Sequence, residues 1–170
     1  MGEDTRLKSS TKLTIPDLIK HQAKKYSSKP ALISEVETLS FSDLDKLSTN
    51  IASHIINLGI LPGDRVAIWA PNMNEWVLAG IAIHKAGGVL VPINTRMKGK
   101  EAAYILNNAE AKILFSVQTF LGTNYFKLLE NEELPHLQHQ ISLDGNDLSD
   151  QIKTIESLKE HKLEAKFPEI

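Results

Sequence analysis

The order of apolar segments in the middle of the chain restricts its fold more than any other feature. Two short runs, Val66–Ala70 and Val89–Ile93, are apolar at successive positions instead of alternating with polar residues. Strands of this kind are covered on both faces, as in parallel sheets flanked by helices. Helix-like segments, Asn74–Ala86 and Lys100–Ala109, separate these runs from each other and from a third apolar run, Ile113–Val117. The alternation predicts an α/β fold with a mostly parallel sheet and crossover helices.

A helix and a hairpin are predicted before this alternating region. Residues 15–26 carry an apolar stripe at helical spacing, with Thr14 as the N-cap and Pro16 in the first turn. The short segments 31–33 and 38–41, joined by a polar turn at Ser34–Glu37, predict two antiparallel strands.

Capping signals set the expected limits of the next helices. A second amphipathic helix is predicted to begin at Ser42, with Asp45 as its capping-box partner, and to end at Gly59. The helix at 74–86 is apolar nearly all round, and Asn72 and Glu75 stand at capping-box spacing before it. A helix with this composition needs protein on several sides. We therefore expect the isolated chain to expose an apolar patch and to aggregate.

The carboxyl-terminal third gives weaker signals. We predict a helix around Leu121–Glu132, a strand at Gln140–Leu143, a turn at residues 144–146 and an amphipathic helix from Ser149 to about His161.

Composition excludes several classes of protein. The 170 residues are 42% hydrophobic and 24% charged with a formal charge of −2, as in one soluble globular unit, and no block of basic residues suggests a nucleic-acid partner. Cysteine is absent, which excludes disulfides and thiolate chemistry. The amino terminus lacks an apolar segment typical of a secretion signal, and His84-Lys85 interrupts the longest apolar stretch. These features predict a cytoplasmic protein without integral membrane association.

Four motifs, in order, carry a resemblance to a known family. They are Leu39-Ser-Phe-Ser-Asp-Leu44, Leu58-Gly-Ile-Leu-Pro-Gly-Asp-Arg-Val66, Asp64-Arg-Val-Ala-Ile-Trp-Ala-Pro-Asn-Met-Asn-Glu-Trp76 and His84-Lys-Ala-Gly-Gly-Val-Leu-Val-Pro-Ile-Asn-Thr-Arg96. Together they resemble the amino-terminal region of adenylate-forming (AMP-binding) enzymes, which include acyl-CoA synthetases, luciferases and the adenylation domains of peptide synthetases. The resemblance extends from about Thr14 to Glu130.

Two further segments favour one branch of this family. Asn94-Thr95-Arg96, followed by the helix at Lys98–Leu106, resembles fatty-acid and related acyl-CoA synthetases. Phe120-Leu-Gly-Thr-Asn-Tyr125 is similar to a segment of some bacterial ligases that act on the propanoate side chains of steroid degradation products. Six residues do not select a substrate.

The resemblance implies a two-step reaction for the intact enzyme: MgATP adenylates a fatty or related carboxylic acid, and coenzyme A then takes the acyl group. It also implies that the family's phosphate-binding loop, rich in Ser, Thr and Gly, would lie beyond Ile170. The nine glycines of this chain form neither G-x-x-x-x-G-K-[ST] nor G-x-G-x-x-G.

The predicted organisation is therefore a flexible amino terminus at 1–12 and an incomplete adenylation domain, its amino-terminal lobe, at 13–170. Its partners would be the remainder of that domain, a carboxyl-terminal domain and the carboxylic acid substrate. We expect the chain alone to be inactive and to bind neither ATP nor coenzyme A tightly.

A few residues of the sequence are candidates for ligand or metal binding. Gly87-Gly88 follows a helix and precedes a strand, which suits a helix C-cap better than a phosphate turn. The turn Ala70–Asn74 runs from strand to helix but lacks glycine, so an ordinary cap is the favoured interpretation. Asn94 and Arg96 follow a buried strand, where open α/β sheets place ligand contacts, yet Arg96 better suits a loop contact or an ion pair between lobes. His136-x-x-His139 lacks a third metal ligand.

We predict no catalytic, cofactor-binding or metal-ligating residue within positions 1–170. Two alternatives remain: a non-enzymatic α/β binding or interaction module derived from the same scaffold, and a flavodoxin-like nucleotide or redox domain. The second is disfavoured because no phosphate loop follows any predicted strand.

Overall fold

A computed structural model describes residues 13–145 and 152–169. Within these ranges the chain forms α-helices and β-strands in an open α/β arrangement, with one turn of 3-10 helix at Lys127–Leu129. The elements are α1 (Ile15–Tyr26), β1 (Pro30–Ile33), β2 (Thr38–Ser40), α2 (Phe41–Asn57), β3 (Arg65–Trp69), α3 (Asn74–Lys85), β4 (Val89–Pro92), α4 (Gly99–Asn108), β5 (Ile113–Ser116), β6 (Thr119–Phe120), β7 (Thr123–Asn124), β8 (His139–Ser142), β9 (Ile152–Thr154) and α5 (Ile155–Glu160).

The central sheet has five parallel strands in the order β4-β3-β5-β8-β9. Val66 of β3 pairs with Leu90 of β4 on one side and with Ile113 of β5 on the other. The strands β3, β5 and β8 at its centre carry the fully buried residues that the apolar runs predicted. The predicted α/β fold with a mostly parallel sheet is therefore confirmed.

Helices cover both faces of this sheet. Because β3 connects to β4 and β4 connects back to β5 in the opposite direction, right-handed crossovers place α3 and α4 on opposite faces. The helices α1, α2 and α5 pack in the layer of α3, and the 3-10 turn packs on α4. In the described part of the chain, no helix is long and apolar enough to cross a bilayer.

The first helix and the hairpin match their predictions. Thr14 caps α1 in a capping box with Asp17, and β1 pairs with β2 in antiparallel orientation. The predicted start of α2 is wrong: its N-cap is Ser40, and the carboxylate of Asp43 accepts hydrogen bonds from the backbone N–H and the hydroxyl of Ser40. The same serine–acid spacing occurs twice in this segment, and the register of the hairpin selects the earlier pair.

The two predicted glycine helix ends are both confirmed. Gly59 follows α2 with φ +90°, and Gly87 follows α3 with φ +78°. After α3, the N–H of Gly87 donates to the carbonyl of His84 and the N–H of Gly88 donates to the carbonyl of Ile83. This is a Schellman motif, whose left-handed residue is most easily a glycine. At its other end, α3 is not capped by Asn72: the N-cap is Met73, which makes no side-chain capping hydrogen bond.

The strand β4 differs from the expected covered strand. It lies at the edge of the sheet, and Val89 is 47% exposed. Continuous apolarity did predict a parallel strand, but it does not distinguish a central strand from an edge strand. Pro92 suits this place, because proline lacks the N–H that would point away from the sheet.

Two carboxyl-terminal predictions are wrong. In place of a helix at 121–132, the chain forms the β6–β7 hairpin and the 3-10 turn. Leu121 and Gly122 both have positive φ, +49° and +75°, as in the two-residue turns that join hairpin strands. The predicted helix from Ser149 lies partly outside the described residues, and residues 152–154 within it form β9, so that α5 begins only at Ile155.

The apolar helix α3 finds its partners within the chain. It contacts α1, α2, β3 and β4, and its middle turns are buried. The ammonium of Lys85 is also buried here, and it donates to the carboxylate of Asp45 (2.7 Å), the Asp45 carbonyl (2.8 Å) and the Thr49 hydroxyl (2.8 Å). Burial lowers the pKa of Lys85, and the hydrogen bond to Asp45 offsets only part of that effect.

Candidate functional site

The carboxyl ends of β3 and β5 form the topological switch point of the sheet. The connection from β3 runs towards β4, whereas the connection from β5 runs towards β8 on the other side. Adjacent strands whose connections diverge leave a crevice between them, and open α/β sheets bind ligands at this position. The carboxyl edge of the sheet is therefore the candidate site.

Two aromatic side chains fill the crevice. Trp69 ends β3 with its ring fully buried, and Tyr125 meets it edge-on with ring centroids 4.5 Å apart. Ser116 closes the space behind them by donating from its hydroxyl to the Trp69 carbonyl at 2.7 Å. The crevice is thus packed with protein, and open space begins beyond these rings.

The polar atoms of these aromatic residues hold the loop that follows β4. The indole N–H of Trp69 donates to the carbonyl of Asn94 (3.1 Å), and the Tyr125 hydroxyl donates to the carbonyl of Thr95 (2.8 Å). Burial raises the pKa of Tyr125, which keeps this hydroxyl protonated and able to donate. Asn94 is further oriented because its Oδ1 accepts from the backbone N–H of Arg96 (2.9 Å).

The β6–β7 hairpin is fixed to the sheet at its base. One carboxylate oxygen of Asp144 accepts from the N–H groups of Gln118 (2.8 Å) and Thr119 (3.3 Å), and the other accepts from the Ser142 hydroxyl (2.5 Å). This places Phe120 beside Tyr125, with ring centroids 6.4 Å apart.

A cleft of about 700 Å³ opens above these residues. Its walls come from the turn after β3, the start of α3, the end of β4 with its following loop, and the hairpin. Among the residues that the structure describes, the lining contains aromatic, proline, aliphatic, amide and hydroxyl groups and no titratable side chain. The lining residues are Ala70, Pro71, Asn72, Trp76, Pro92, Ile93, Asn94, Thr95 and Phe120.

The structure brings only some of the predicted candidates to this cleft. Asn94 lines it, and so do the first residues of the turn Ala70–Asn74, for which a cap was the favoured interpretation. Arg96 does not line the cleft, and within the described residues its guanidinium takes part in no ion pair. Sequence reasoning missed Trp76 and Phe120. The only sequence signal at Phe120 is the similarity of the segment Phe120–Tyr125 to some bacterial ligases.

The remaining candidates lie elsewhere. Gly87 does not border an open space that could hold an anion, because a Cβ there would meet Pro168 at 3.0 Å and Pro62 at 3.3 Å. His139 begins β8, and His136 lies exposed in the preceding loop. Three or more potential metal ligands do not cluster anywhere in residues 13–145 and 152–169. Gly87 therefore does not suit the phosphate turn that was considered for it.

Fold and site together define an open parallel α/β domain with a partly aromatic cleft at the carboxyl edge of its sheet. A comparison with protein families then identifies the particular family: residues 19–169 match the AMP-binding enzyme family. The chain belongs to that family, as the four motifs indicated.

Curated relatives agree with this assignment. The chain is 38% identical over 128 residues to a 3-[(3aS,4S,7aS)-7a-methyl-1,5-dioxo-octahydro-1H-inden-4-yl]propanoyl:CoA ligase of Mycobacterium tuberculosis, covering 75% of this chain and 25% of that protein. It is 27% identical to the human mitochondrial medium-chain acyl-CoA ligase ACSF2, covering 87% of this chain and 28% of that protein. The chain thus spans about a quarter of the length of these relatives.

Solved structures show the same fold. An anthranilate CoA ligase solved with anthranoyl-AMP superposes with a TM-score of 0.81 at 23% identity, over 91% of this chain and 30% of that one. The acetoacetyl-CoA synthetase of Streptomyces lividans gives a TM-score of 0.76 at 23% identity, over 93% and 26% of the two chains. At this identity the likeness concerns the fold.

Proposed function

We propose that this chain is the amino-terminal lobe of an adenylation domain in an ATP-dependent acyl-CoA synthetase. The observation that carries the proposal is the family match over residues 19–169, together with relatives that are named acyl-CoA ligases. The whole enzyme would adenylate a carboxylic acid with MgATP and transfer the acyl group to coenzyme A. The location of such an enzyme would be cytoplasmic.

The contribution of this stretch is scaffold and one wall of the acyl site. We place the groups that contact the reacting atoms in the remainder of the adenylation domain and in a carboxyl-terminal domain. The uncharged, partly aromatic cleft supports a role in holding the apolar body of an acid. An ionised group there would lose hydration without gaining a partner of opposite charge.

The substrate proposed is a hydrophobic carboxylic acid, with a ring-bearing propanoic acid as its specific form. Two relatives, from Mycobacterium tuberculosis and Rhodococcus jostii, are named as ligases of a fused-ring propanoyl group and are 38% and 34% identical to this chain. The segment Phe120–Tyr125, which resembles such ligases, contributes Phe120 to the cleft. A medium-chain fatty acid, as named for the human relative, is the competing form.

The test is to express the full reading frame that contains this chain and to measure acid-dependent exchange of pyrophosphate into ATP. We expect exchange with hydrophobic acids, followed by thioester formation when coenzyme A is added. The 170-residue chain serves as the matched control and is expected to show no exchange. A full-length protein with no exchange across ring-bearing and straight-chain acids would overturn the proposal.

A non-enzymatic binding or interaction module is the second candidate. One observation favours it: the apolar helix α3 is covered by α1, α2, β3 and β4 within the chain itself. A native polypeptide of this mass, measured by mass spectrometry in the source cells, would support this candidate. A longer native polypeptide with a Ser/Thr/Gly-rich loop would support the ligase.

A further inference from the structure

A second cavity lies at the other end of α3 from the cleft. Its volume is about 420 Å³, and its walls come from α1, α2, the end of α3 and the final segment, residues 162–168. Trp76 lines the cleft from the first turn of α3, whereas Lys85 lines this cavity from the last turn. We propose that this cavity binds a small phosphate monoester, held by Lys20 of α1 and Lys162 of the final segment. Such binding is independent of the proposed ligase activity.

Positive charge is in excess around this cavity. Among the described lining residues, three lysines face two aspartates, and the others are threonine, proline and phenylalanine. An excess of positive charge in a concave site attracts anionic ligands and disfavours cations. The charged lining residues are Lys20, Lys85, Lys162, Asp17 and Asp45.

Both aspartates have partners within the chain. The carboxylate of Asp17 accepts from the hydroxyl of Thr14 (2.7 Å) and from its N–H (3.3 Å), at the positive end of the α1 dipole. The carboxylate of Asp45 lies 2.7 Å from the ammonium of Lys85. These contacts offset the two negative charges locally, so neither carboxylate balances the other two lysines.

Those two lysines are the donors that a ligand can use. Lys20 and Lys162 take part in no ion pair within the described residues. By contrast, Lys85 donates three hydrogen bonds to α2, and the hydroxyl of Thr49 donates to the Asp45 carbonyl at 2.6 Å. Each ammonium offers three donors and no acceptor, so two ammonium groups from separate elements suit the several oxygens of one phosphate group.

Repulsion between lysines also favours a bound anion. Burial lowers the pKa of Lys85 most, and the positive charge of Lys20 lowers it further, so the two ammonium groups are close enough to repel each other. An anion beside Lys20 would offset this repulsion. A phosphate monoester carries a charge of about −1.5 to −2 near neutral pH, which matches two unpaired ammonium groups better than the single charge of a carboxylate does.

The rest of the lining suits the organic part of an ester. Phe167 and Pro168 of the final segment and Pro16 of α1 give the cavity an apolar side. The Lys162 ammonium lies 5.3 Å from the centre of the Phe167 ring, a cation–π contact that orients the ammonium and leaves its charge in place. The volume is within the roughly 300–1,000 Å³ typical of small-molecule pockets, so a phosphate group fills only part of it.

The test titrates the 170-residue chain with phenyl phosphate at constant ionic strength and follows backbone amides by proton–nitrogen NMR. We expect saturable shifts at residues that line the cavity. Lys20→Gln and Lys162→Gln should each weaken binding by about fivefold or more, because each variant loses one charge-assisted contact to the phosphate. Phenol, which has the same ring and no phosphate, should bind at least about tenfold more weakly.

Each variant has a control with the same change of charge. Lys24 lies one turn further along α1 and Lys166 lies in the final segment; both are exposed, and neither lines this cavity. Lys24→Gln and Lys166→Gln should bind the probe as the unchanged chain does. Absence of saturable shifts, equal affinity of all four variants with native-like spectra, or equal affinity for phenol and phenyl phosphate would overturn the proposal.

A second measurement tests the contact of Lys162 with the ligand. The neighbouring N–H of Leu163 donates to the Ser53 hydroxyl at 2.9 Å and so reports whether the final segment is attached to α2. A ligand that joins Lys20 to Lys162 should slow hydrogen exchange at Leu163 by about fivefold or more. Lys162→Gln should remove this protection, whereas Lys166→Gln should keep it. Saturable binding with unchanged exchange at Leu163 would overturn the assignment of Lys162.

Discussion

Gly99, at the start of α4, occupies a position where the backbone of another segment leaves no space for a side chain. A Cβ built there meets the carbonyl group of Leu128, which belongs to the 3-10 turn packed on α4. We expect Gly99→Ala to lower the free energy of unfolding by about 1–3 kcal/mol, because either the helix or the turn must shift. Urea denaturation measures this, with the exposed neighbour Lys100→Ala as control. Equal stability of the two variants would contradict the close approach.

The hydroxyl of Ser40 caps the amino-terminal end of α2. Replacing Ser40 with alanine removes the hydroxyl that accepts from the Asp43 N–H at 3.1 Å, and should cost about 1 kcal/mol. Ser42→Ala is the matched control, because Ser42 is exposed one residue inside the helix. Chemical denaturation should separate the two variants. The opposite ranking would support a helix that begins at Ser42, as the sequence first suggested.

At the scale of elements, one buried ion pair joins α2 to α3. The Lys85 side chain is 8% exposed and lies 2.7 Å from Asp45. Asp45→Ala leaves this ammonium buried without its carboxylate and should cost about 1–3 kcal/mol. Lys85→Met replaces the cation with an apolar side chain of similar length and should stay within about 1 kcal/mol of the unchanged protein. Thermal or urea unfolding of both variants compares their losses of stability. A larger loss of stability in Lys85→Met than in Asp45→Ala would contradict the expectation.

A second ion pair ties the entry of β3 to the entry of β5 and gives stability a pH dependence. Burial raises the pKa of Asp64, but hydrogen bonds from Lys112 (2.7 Å) and the Leu61 N–H (2.8 Å) outweigh this effect and hold the pKa below its ordinary 3.8. A carboxyl with a depressed folded-state pKa stabilises the fold above its unfolded pKa and loses that contribution as pH falls through the folded value.

Asp64→Asn tests this pH dependence. The unchanged protein should be more stable than the variant at neutral pH, and the difference should shrink as pH falls below about 3.9. Urea midpoints measured between neutral and acidic pH provide the comparison. Curves that stay parallel across the acidic range would show that the carboxylate of Asp64 does not carry the effect.

At the scale of the whole molecule, the final segment runs as a strap across α2. Side chains on one face of α2 bind its backbone: Ser53 accepts from the Leu163 N–H at 2.9 Å, and Asn57 donates to the Glu164 carbonyl at 3.0 Å. Phe167 then packs against the core, and Phe167 and Pro168 line a cavity together with Ile56. The strap therefore adds apolar cover to the α2–α3 layer.

Phe167→Ala measures the contribution of this strap. The ring is half-buried, so its loss should lower the free energy of unfolding by about 1–3 kcal/mol and raise the binding of a surface-hydrophobicity dye. Glu164→Ala removes an exposed side chain from the same strap but keeps the carbonyl that binds Asn57, and should change stability by less than about 0.5 kcal/mol. Equal effects in both variants would mean that the strap contributes no packing.

Aggregation of the isolated chain stays a prediction, although its original reason does not hold. The helix α3 was expected to expose an apolar face, and the structure covers that face within the chain. Other exposed apolar surface remains at the edge strand β4, where Val89 is 47% exposed, and on α1, where Ile15 is 49% and Leu18 40% exposed. Light scattering of the purified chain would measure the outcome.

Most helices and strands could be predicted from the sequence, because the signals that specify them lie within a few neighbouring residues. The apolar run Val66–Ala70 predicts a strand, and Gly59 and Gly87 predict helix ends, since φ values of +90° and +78° favour glycine. The hairpin turn at Leu121-Gly122 was missed because leucine rarely adopts a positive φ. The start of α2 was missed because Ser40 and Ser42 offer the same local signal, and pairing of β2 with β1 decides between them.

The sequence by itself determined the family, the parallel sheet and the order of helices α1 to α4, because periodicity and motif spacing are local properties of the chain. Only the tertiary structure decided that β4 is an edge strand, that Lys85 forms an ion pair with Asp45, and that Trp76 and Phe120 line one cleft. Each of these depends on contact between residues that are far apart along the chain. Such contacts are selected by packing of the whole core, and no local pattern specifies them.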